Sequence, residues 1–375
     1  MFFWRAIPII VISATLIMRP IGGIYFGYIG DKYGRKKGLF ASIIFMIIPT
    51  FIIGILPTYN QIYIMAPIIL IICRMIQGFS MGGETGGTNT ILVEASKNGF
   101  ISMTTSLLPA AIMLGGVLAS IVTYCININL FSWRFGYIIG ALLGFVSFYF
   151  RYKMSETDQF KVLADKKMLL KNPLKDIFKT NKEKMLCAFL MSFGAVVPFH
   201  LNYVYMADFL RNTLNVPIAK IAFFNVITQV ISIILMPMFG FLADKIDKKA
   251  IMYAALIILM FISYPLILYN NTNPSIFYSN LIQIALCISL SMYSGAYYSS
   301  VALLFSVNKR YTASGFSVSV GVAIFSFLSS FFIWSSYKNN LFLYTIVPML
   351  LFFLLNTKMI MNYSIIIRRR DSEQS

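Results

Sequence analysis

Apolar residues fall in long runs along this chain, and polar residues collect in short stretches between them. The runs cover residues 2–29, 38–56, 64–90, 100–128, 133–151, 185–209, 217–243, 250–269, 276–306, 311–335 and 341–360. Each is about twenty residues or longer, enough to cross a hydrocarbon core about 30 Å thick as a helix. The pattern predicts an all-α integral membrane protein with eleven transmembrane helices, five before a long polar segment and six after it.

One stretch organises the rest. In Gly22–Phe40 an apolar run ends in a loop, Gly30-Asp31-Lys32-Tyr33-Gly34-Arg35-Lys36-Lys37, and a new apolar run starts at once. A degenerate copy recurs as Gly240-Phe241-Leu242-Ala243-Asp244-Lys245-Ile246-Asp247-Lys248-Lys249. Two copies of one acidic-basic loop between apolar helices mark an internal repeat of a membrane bundle. Two spans precede the loop in the second half and one in the first, so the symmetry predicts a six-plus-six bundle without its first helix. The expected organisation is an N-terminal bundle at 1–151, a cytoplasmic linker at 152–184, a C-terminal bundle at 185–362 and a tail at 363–375.

Composition agrees: 58% of residues are hydrophobic and 12% charged, against about 25% charged in soluble domains. The net charge of +18 raises nucleic acid or an anionic surface as partners, but its distribution argues otherwise. Basic residues cluster on alternate loops: Lys32, Arg35, Lys36 and Lys37; Lys97; the lysines of 153–184; Lys245, Lys248 and Lys249; Lys309 and Arg310; then Arg368, Arg369 and Arg370. The intervening loops carry Arg211, Lys338 or no basic residue. Such alternation places the basic loops and the C-terminus in the cytoplasm and the N-terminus outside. No nucleic-acid partner is expected. High isoleucine, lysine and asparagine usage points to a bacterial inner (plasma) membrane.

The four cysteines, Cys73, Cys125, Cys187 and Cys287, lie inside spans and form no C-x-x-C pair, so they read as small buried residues. No cleavable signal peptide is evident. Walker, H-E-x-x-H and G-x-S-x-G motifs are absent, and neither an enzyme activity, a metal nor a cofactor is expected. The linker alternates lysines with Phe160, Leu163, Met168, Leu169, Leu170 and Leu174, which suits either an amphipathic helix on the inner membrane face or a solvated connection.

Polar residues inside spans are the candidates for function. Arg19 lies roughly 18 Å along the axis from Asp31, near the bilayer midplane, where an arginine costs about 3 kcal/mol on insertion scales. It reads equally as an anchor for an anionic substrate group or as the partner of a carboxylate. Gly23, Gly27 and Gly30 form a stripe that admits a close neighbour. In the third span Arg74, Gln77, Met81 and Glu84 share one side, and Gly78, Gly82 and Gly86 make a second stripe. Arg74 and Gln77 read as cavity-lining, and Glu84 rather as an internal partner. His200, the one histidine, is a candidate proton relay, with a structural hydrogen bond as the commoner role. Tyr205, with Tyr293, Tyr297 and Tyr298, suits a cation–π site or an interface belt.

These residues resemble the major facilitator superfamily, and within it the metabolite:proton symporters that carry proline/betaine, α-ketoglutarate, citrate or shikimate. The resemblance rests on Arg19-Pro20-Ile21-Gly22-Gly23 with Gly27-x-x-x-Asp31-Lys32-x-Gly34-Arg35-Lys36-Lys37, on Ala66-Pro67 with Arg74-x-x-Gln77-Gly78-Phe79-Ser80-x-Gly82-Gly83-Glu84, on Glu94, on Trp133-Arg134 and on Glu156-Thr157. It covers nearly the whole chain and weakens after the midpoint, where Asp247 replaces glycine, Lys248 an arginine, Ala207 a proline, and Leu304-Phe305-Ser306 a Glu-Phe-Pro. It implies two bundles rocking about a central site, with proton movement driving uptake. It further implies a gating latch at Gly27, Asp31, Gly34, Arg35 and Lys36, repeated at Gly240, Asp244 and Lys248, and a coupling role for Arg74.

The expected function is secondary active transport, a monomeric proton symporter of a small osmolyte or organic acid, proline/betaine-like. A di- or tricarboxylate suits the arginines as well. A non-transporting remnant or a membrane interaction protein is the reading from another class.

Overall fold

The computed structural model describes residues 2–97, 99–170 and 173–339, with side chains described from residue 14 to residue 329 except at 264 and 271. Every regular element among the described residues is helical. The long helices are α1 (Phe2–Tyr33), α2 (Arg35–Ile55), α3 (Met65–Ala95), α4 (Ile101–Asn127) and α5 (Trp133–Lys153). Two short ones follow, α6 (Asp158–Asp165) and α7 (Pro173–Thr180). Then come α8 (Lys182–Asn212), α9 (Ile218–Lys245), α10 (Lys248–Asn270), α11 (Ile276–Leu303) and α12 (Arg310–Asn339). Among the described residues nine segments are long and apolar enough to cross a membrane: α2 to α5, α8 to α11, and Val307–Ser329, which takes in most of α12. The first predicted span lies in α1, a helix of 32 residues. The eleventh predicted span, 341–360, and the tail lie outside the described residues.

The loop expected at 30–37 is a correction. Asp31, Lys32 and Tyr33 complete the last turn of α1, α2 begins at Arg35, and Gly34 alone separates the helices. Charge marks where the chain leaves the apolar core, and a helix continues past that depth while its polar groups find partners. Lys32 donates to the Tyr28 hydroxyl at 2.6 Å, and Asp31 and Arg35 pair with each other. Gly34 makes the reversal at φ 121°, a conformation that only glycine adopts cheaply.

The linker is neither flat on a lipid surface nor a plain solvated connection. α6 buries Phe160 and α7 buries Ile177. Thr157 caps α6 by accepting from the Phe160 N–H at 3.4 Å. α7 is tied to the segment before α12 by Lys309 Nζ to Asp176 Oδ2 at 2.7 Å, and Phe178 meets Phe316 edge to face.

The helices form two compact units. The first holds residues 2–95, 125–185 and 305–323, and the second holds 96–124, 186–304 and 324–339. Most of α4 thus belongs to the second unit and the start of α12 to the first.

Glycines set the packing of the first unit. A Cβ on Gly78 or Gly82 would fall on the backbone of Thr15 or Arg19 in α1. One on Gly23 would lie 2.9 Å from the Gly315 carbonyl oxygen, and one on Gly27 2.5 Å from Thr312 Cα. The two stripes therefore bring α1, α3 and the start of α12 to backbone contact, where lipid gives helices no hydrophobic reason to associate and close packing supplies it. In the second unit, Ala110, Met113, Met236 and Leu290 form a core cluster between α4, α9 and α11.

Candidate functional site

Asp31 is 1% exposed at the end of α1. Its Oδ1 accepts from the Tyr311 N–H at 3.2 Å, and its Oδ2 from the Thr312 N–H at 2.8 Å and the Thr312 hydroxyl at 2.6 Å. These amides open α12, where the first N–H groups have no partner inside the helix and the macrodipole favours a negative charge. The carboxylate therefore caps α12 from another helix.

Arg35 locks the cap. It donates to Asp31 at 2.5 Å, to the Gly30 carbonyl at 2.9 Å and to the Val307 carbonyl at 2.5 Å. It also forks onto Glu94 at 3.2 and 3.3 Å. Glu94 in turn accepts from Arg310 Nη1 at 3.3 Å and from the Thr157 hydroxyl at 2.6 Å. All four charged residues are under 9% exposed. Phe160 covers the Arg35 guanidinium at 5.3 Å, and Gln159 receives a second Arg310 bond at 3.2 Å. The other end of the linker helix is fixed by Glu156, which accepts from the Lys36 N–H at 3.1 Å, while Lys36 Nζ reaches the Tyr152 carbonyl at 2.7 Å.

The second unit repeats the device. Asp244 accepts from the Ser102 N–H and the Met103 N–H, both at 2.8 Å, and so caps α4. The glycine four residues earlier plays the same part in each copy. A Cβ on Gly240 would lie 3.0 Å from Met103 Cα, as one on Gly27 would press on Thr312. The Asp247 that departs from the family's glycine caps α10 by accepting from the Lys249 N–H at 3.1 Å. Lys248 is the first residue of α10.

The other candidates are dispersed. Arg19 donates to the Thr85 hydroxyl at 3.3 Å. Gln77 is buried and donates to Thr50 at 2.8 Å. Glu84 is ion-paired with Arg151, which also holds the Leu39 carbonyl at 3.1 Å. Arg74 donates to the Tyr137 hydroxyl at 2.6 Å with its guanidinium 5.7 Å from that ring, and its buried Nε has no hydrogen-bond partner. His200 Nδ1 meets the Val196 carbonyl oxygen at 3.0 Å, which fixes a neutral ring as the Nδ1–H tautomer. Tyr205 is buried and stacks on Phe209. Tyr293 and Tyr297 do not form an open aromatic cage, since their hydroxyls bond to the Met191 carbonyl at 2.8 Å and to Ser192 at 2.7 Å.

Sequence reasoning placed Glu94 and Arg310 in loops and gave no role to Thr312 or Gln159. Arg310 contacts Glu94 across 216 positions, and a single sequence carries no trace of that pairing.

Apolar helices of spanning length, glycine-packed and closed by two equivalent aspartate caps, define a polytopic membrane protein built on an internal repeat. The chain belongs to the Major Facilitator Superfamily, whose family model matches residues 7–330. It is 30% identical over 330 residues to the proline/betaine transporter of Escherichia coli K12, covering 83% of this chain and 66% of that protein. It is 28% identical over 330 residues to the glycine betaine/proline/ectoine/pipecolic acid transporter of Dickeya dadantii, with the same coverage. The chain thus spans just under two-thirds of the length of these relatives. In fold it is similar to the proton:xylose symporter XylE bound to 6-bromo-6-deoxy-D-glucose, with a TM-score of 0.75, 14% identity, and coverage of 97% of this chain and 86% of that one.

Proposed function

We propose that the chain is a secondary active transporter, a proton symporter that moves a small osmolyte or organic acid, proline/betaine-like, across a bacterial inner membrane by alternating access. The observation that carries the reading is Arg74. It lies nine residues into α3, about 14 Å along the helix axis. No described carboxylate is within ion-pair distance of it, and the Tyr137 hydroxyl is its hydrogen-bond partner. A guanidinium in a membrane span is costly and settles where a counter-charge arrives or water reaches it. A substrate carboxylate is that counter-charge, and Arg offers it two parallel N–H donors. The similarity to proline/betaine transporters supports a carboxylate-bearing zwitterion. The Asp31 and Asp244 caps supply bistable contacts, each holding one helix start until its carboxylate lets go. The basic loop after α1 and that after α9 face the cytoplasm in this reading.

The test is uptake in proteoliposomes with an imposed pH gradient. Labelled proline or betaine is expected to accumulate, and an uncoupler to abolish the accumulation. Absence of uptake of proline, betaine and α-ketoglutarate by protein shown to be folded would refute the reading.

A further inference from the structure

Midway along α8 the helix widens into a π-helical turn at Leu201–Tyr205. Single π-turns inside α-helices concentrate at functional sites, because the extra residue re-aims the side chains that follow. Here they are Asn202 and Tyr203. Asn202 is 0% exposed, and neither its amide nitrogen nor its oxygen has a hydrogen-bond partner. The same holds for the Tyr203 hydroxyl and the Ser291 hydroxyl. The Tyr203 phenol nevertheless faces Asn202, Thr228 and Ser232, and the Cys287 thiol faces Ser232 and Ser291. Cys287 Sγ lies 3.1 Å from Ser232 Oγ and 3.3 Å from the Thr228 carbonyl oxygen. Three helices of the second unit, α8, α9 and α11, thus turn polar groups toward one another at distances too long for direct bonds.

We propose that this cluster is a charge-free binding subsite for an uncharged hydrogen-bonding solute group, a hydroxyl or a carboxamide, centred on Asn202. An unfilled buried carboxamide is expensive, and an inserted polar group that both donates and accepts satisfies it. The charge state of the ligand follows from the surroundings. None of the groups facing Tyr203 or Cys287 is charged. The carboxylates of the described second unit are engaged elsewhere, Asp208 with Asn212, Asp244 with the start of α4, and Asp247 with Lys249. The neighbouring His200 is the neutral tautomer held by Val196. A charged group entering here finds no counter-charge and loses its hydration. A neutral hydroxyl or amide exchanges water bonds for protein bonds at little net cost. The subsite is separate from the carboxylate anchor at Arg74, and it gives the carrier reading a second, uncharged specificity element.

The experiment is equilibrium binding to the purified full chain in micelles, with labelled erythritol and propionamide as neutral probes and labelled proline and sodium as charged ones. At least one neutral probe is expected to bind saturably. Asn202→Leu is expected to weaken that binding on the order of tenfold or more, Ser291→Ala several-fold, and Arg74→Gln not at all. Asn202→Leu should keep or raise the melting temperature, since it removes an unbonded polar group. The proposal is overturned by no saturable neutral binding, by neutral binding that survives Asn202→Leu, by loss of proline or sodium binding instead, or by a marked loss of stability in Asn202→Leu. Binding is read without transport, so a failed uptake assay and a failed subsite give different results.

Discussion

Asp31→Asn removes one charge and leaves the shape of the side chain nearly unchanged. Asp31 accepts three bonds from the start of α12 and pairs with Arg35 in a site that excludes water. Breaking one partner of a buried ion pair costs about 3–5 kcal/mol, because the remaining charge is left uncompensated. Loss of a cap alone would cost about 1 kcal/mol, and the two terms overlap, so the larger sets the scale. At 1.36 kcal/mol per decade, about 3–5 kcal/mol multiplies the local opening constant of the α12 start by roughly 10² to 5 × 10³. Hydrogen exchange read by mass spectrometry on peptides beginning near Arg310 should accelerate by that factor. Peptides beginning near Ile101 should not change, and Asp244→Asn should show the reverse pattern. An acceleration below about threefold at the α12 start, or one spread evenly over both peptides, would refute the assignment of the carboxylates as caps.

Three other outcomes follow from the geometry. Arg74→Gln should abolish solute accumulation while leaving the melting temperature within a few degrees of the parent, and uptake retained at parental rates would remove Arg74 from the substrate path. Gly82→Val should destabilise the first unit by about 1–3 kcal/mol or more, since its side chain meets the Arg19 carbonyl, whereas Gly115→Ala, with open space around it, should be neutral or slightly stabilising; thermal unfolding in micelles compares the two. Thr157→Val removes the bond to Glu94 and the cap of α6, at about 1–3 kcal/mol, and limited proteolysis should cut the linker faster than in the parent; equal cleavage rates would show that α6 is held by packing alone.

The spans were legible because a bilayer allows few alternatives to a long apolar helix. Their ends were not. Residues 30–37 read as a loop by polarity, but Asp31 and Arg35 have their partners within helices, and only Gly34 departs from helical geometry. The Gly78-Gly82-Gly86 stripe was legible as a contact surface, and the structure supplies the partners, α1 and the start of α12. Glu94 and Arg310 each look like ordinary interface charges in the sequence. Their pairing depends on how distant segments meet, which periodicity does not encode. The π-turn in α8 was equally hidden, since it is a change of hydrogen-bond register that leaves no distinctive composition. For the tyrosines, sequence gave a residue type suited to cations, while the structure commits two of the hydroxyls to α8.

Asp31, Arg35, Glu94 and Arg310 carry two negative and two positive charges. Moving one elementary charge across the membrane is worth about 2.3 kcal/mol per 100 mV. An electroneutral quartet that comes apart and reassembles as a group transfers no net charge, so the membrane potential does no work on it. Whatever voltage dependence the transport cycle shows must then enter through the solute or the coupling ion, and the latch itself responds to bonds and hydration instead of to the electric field.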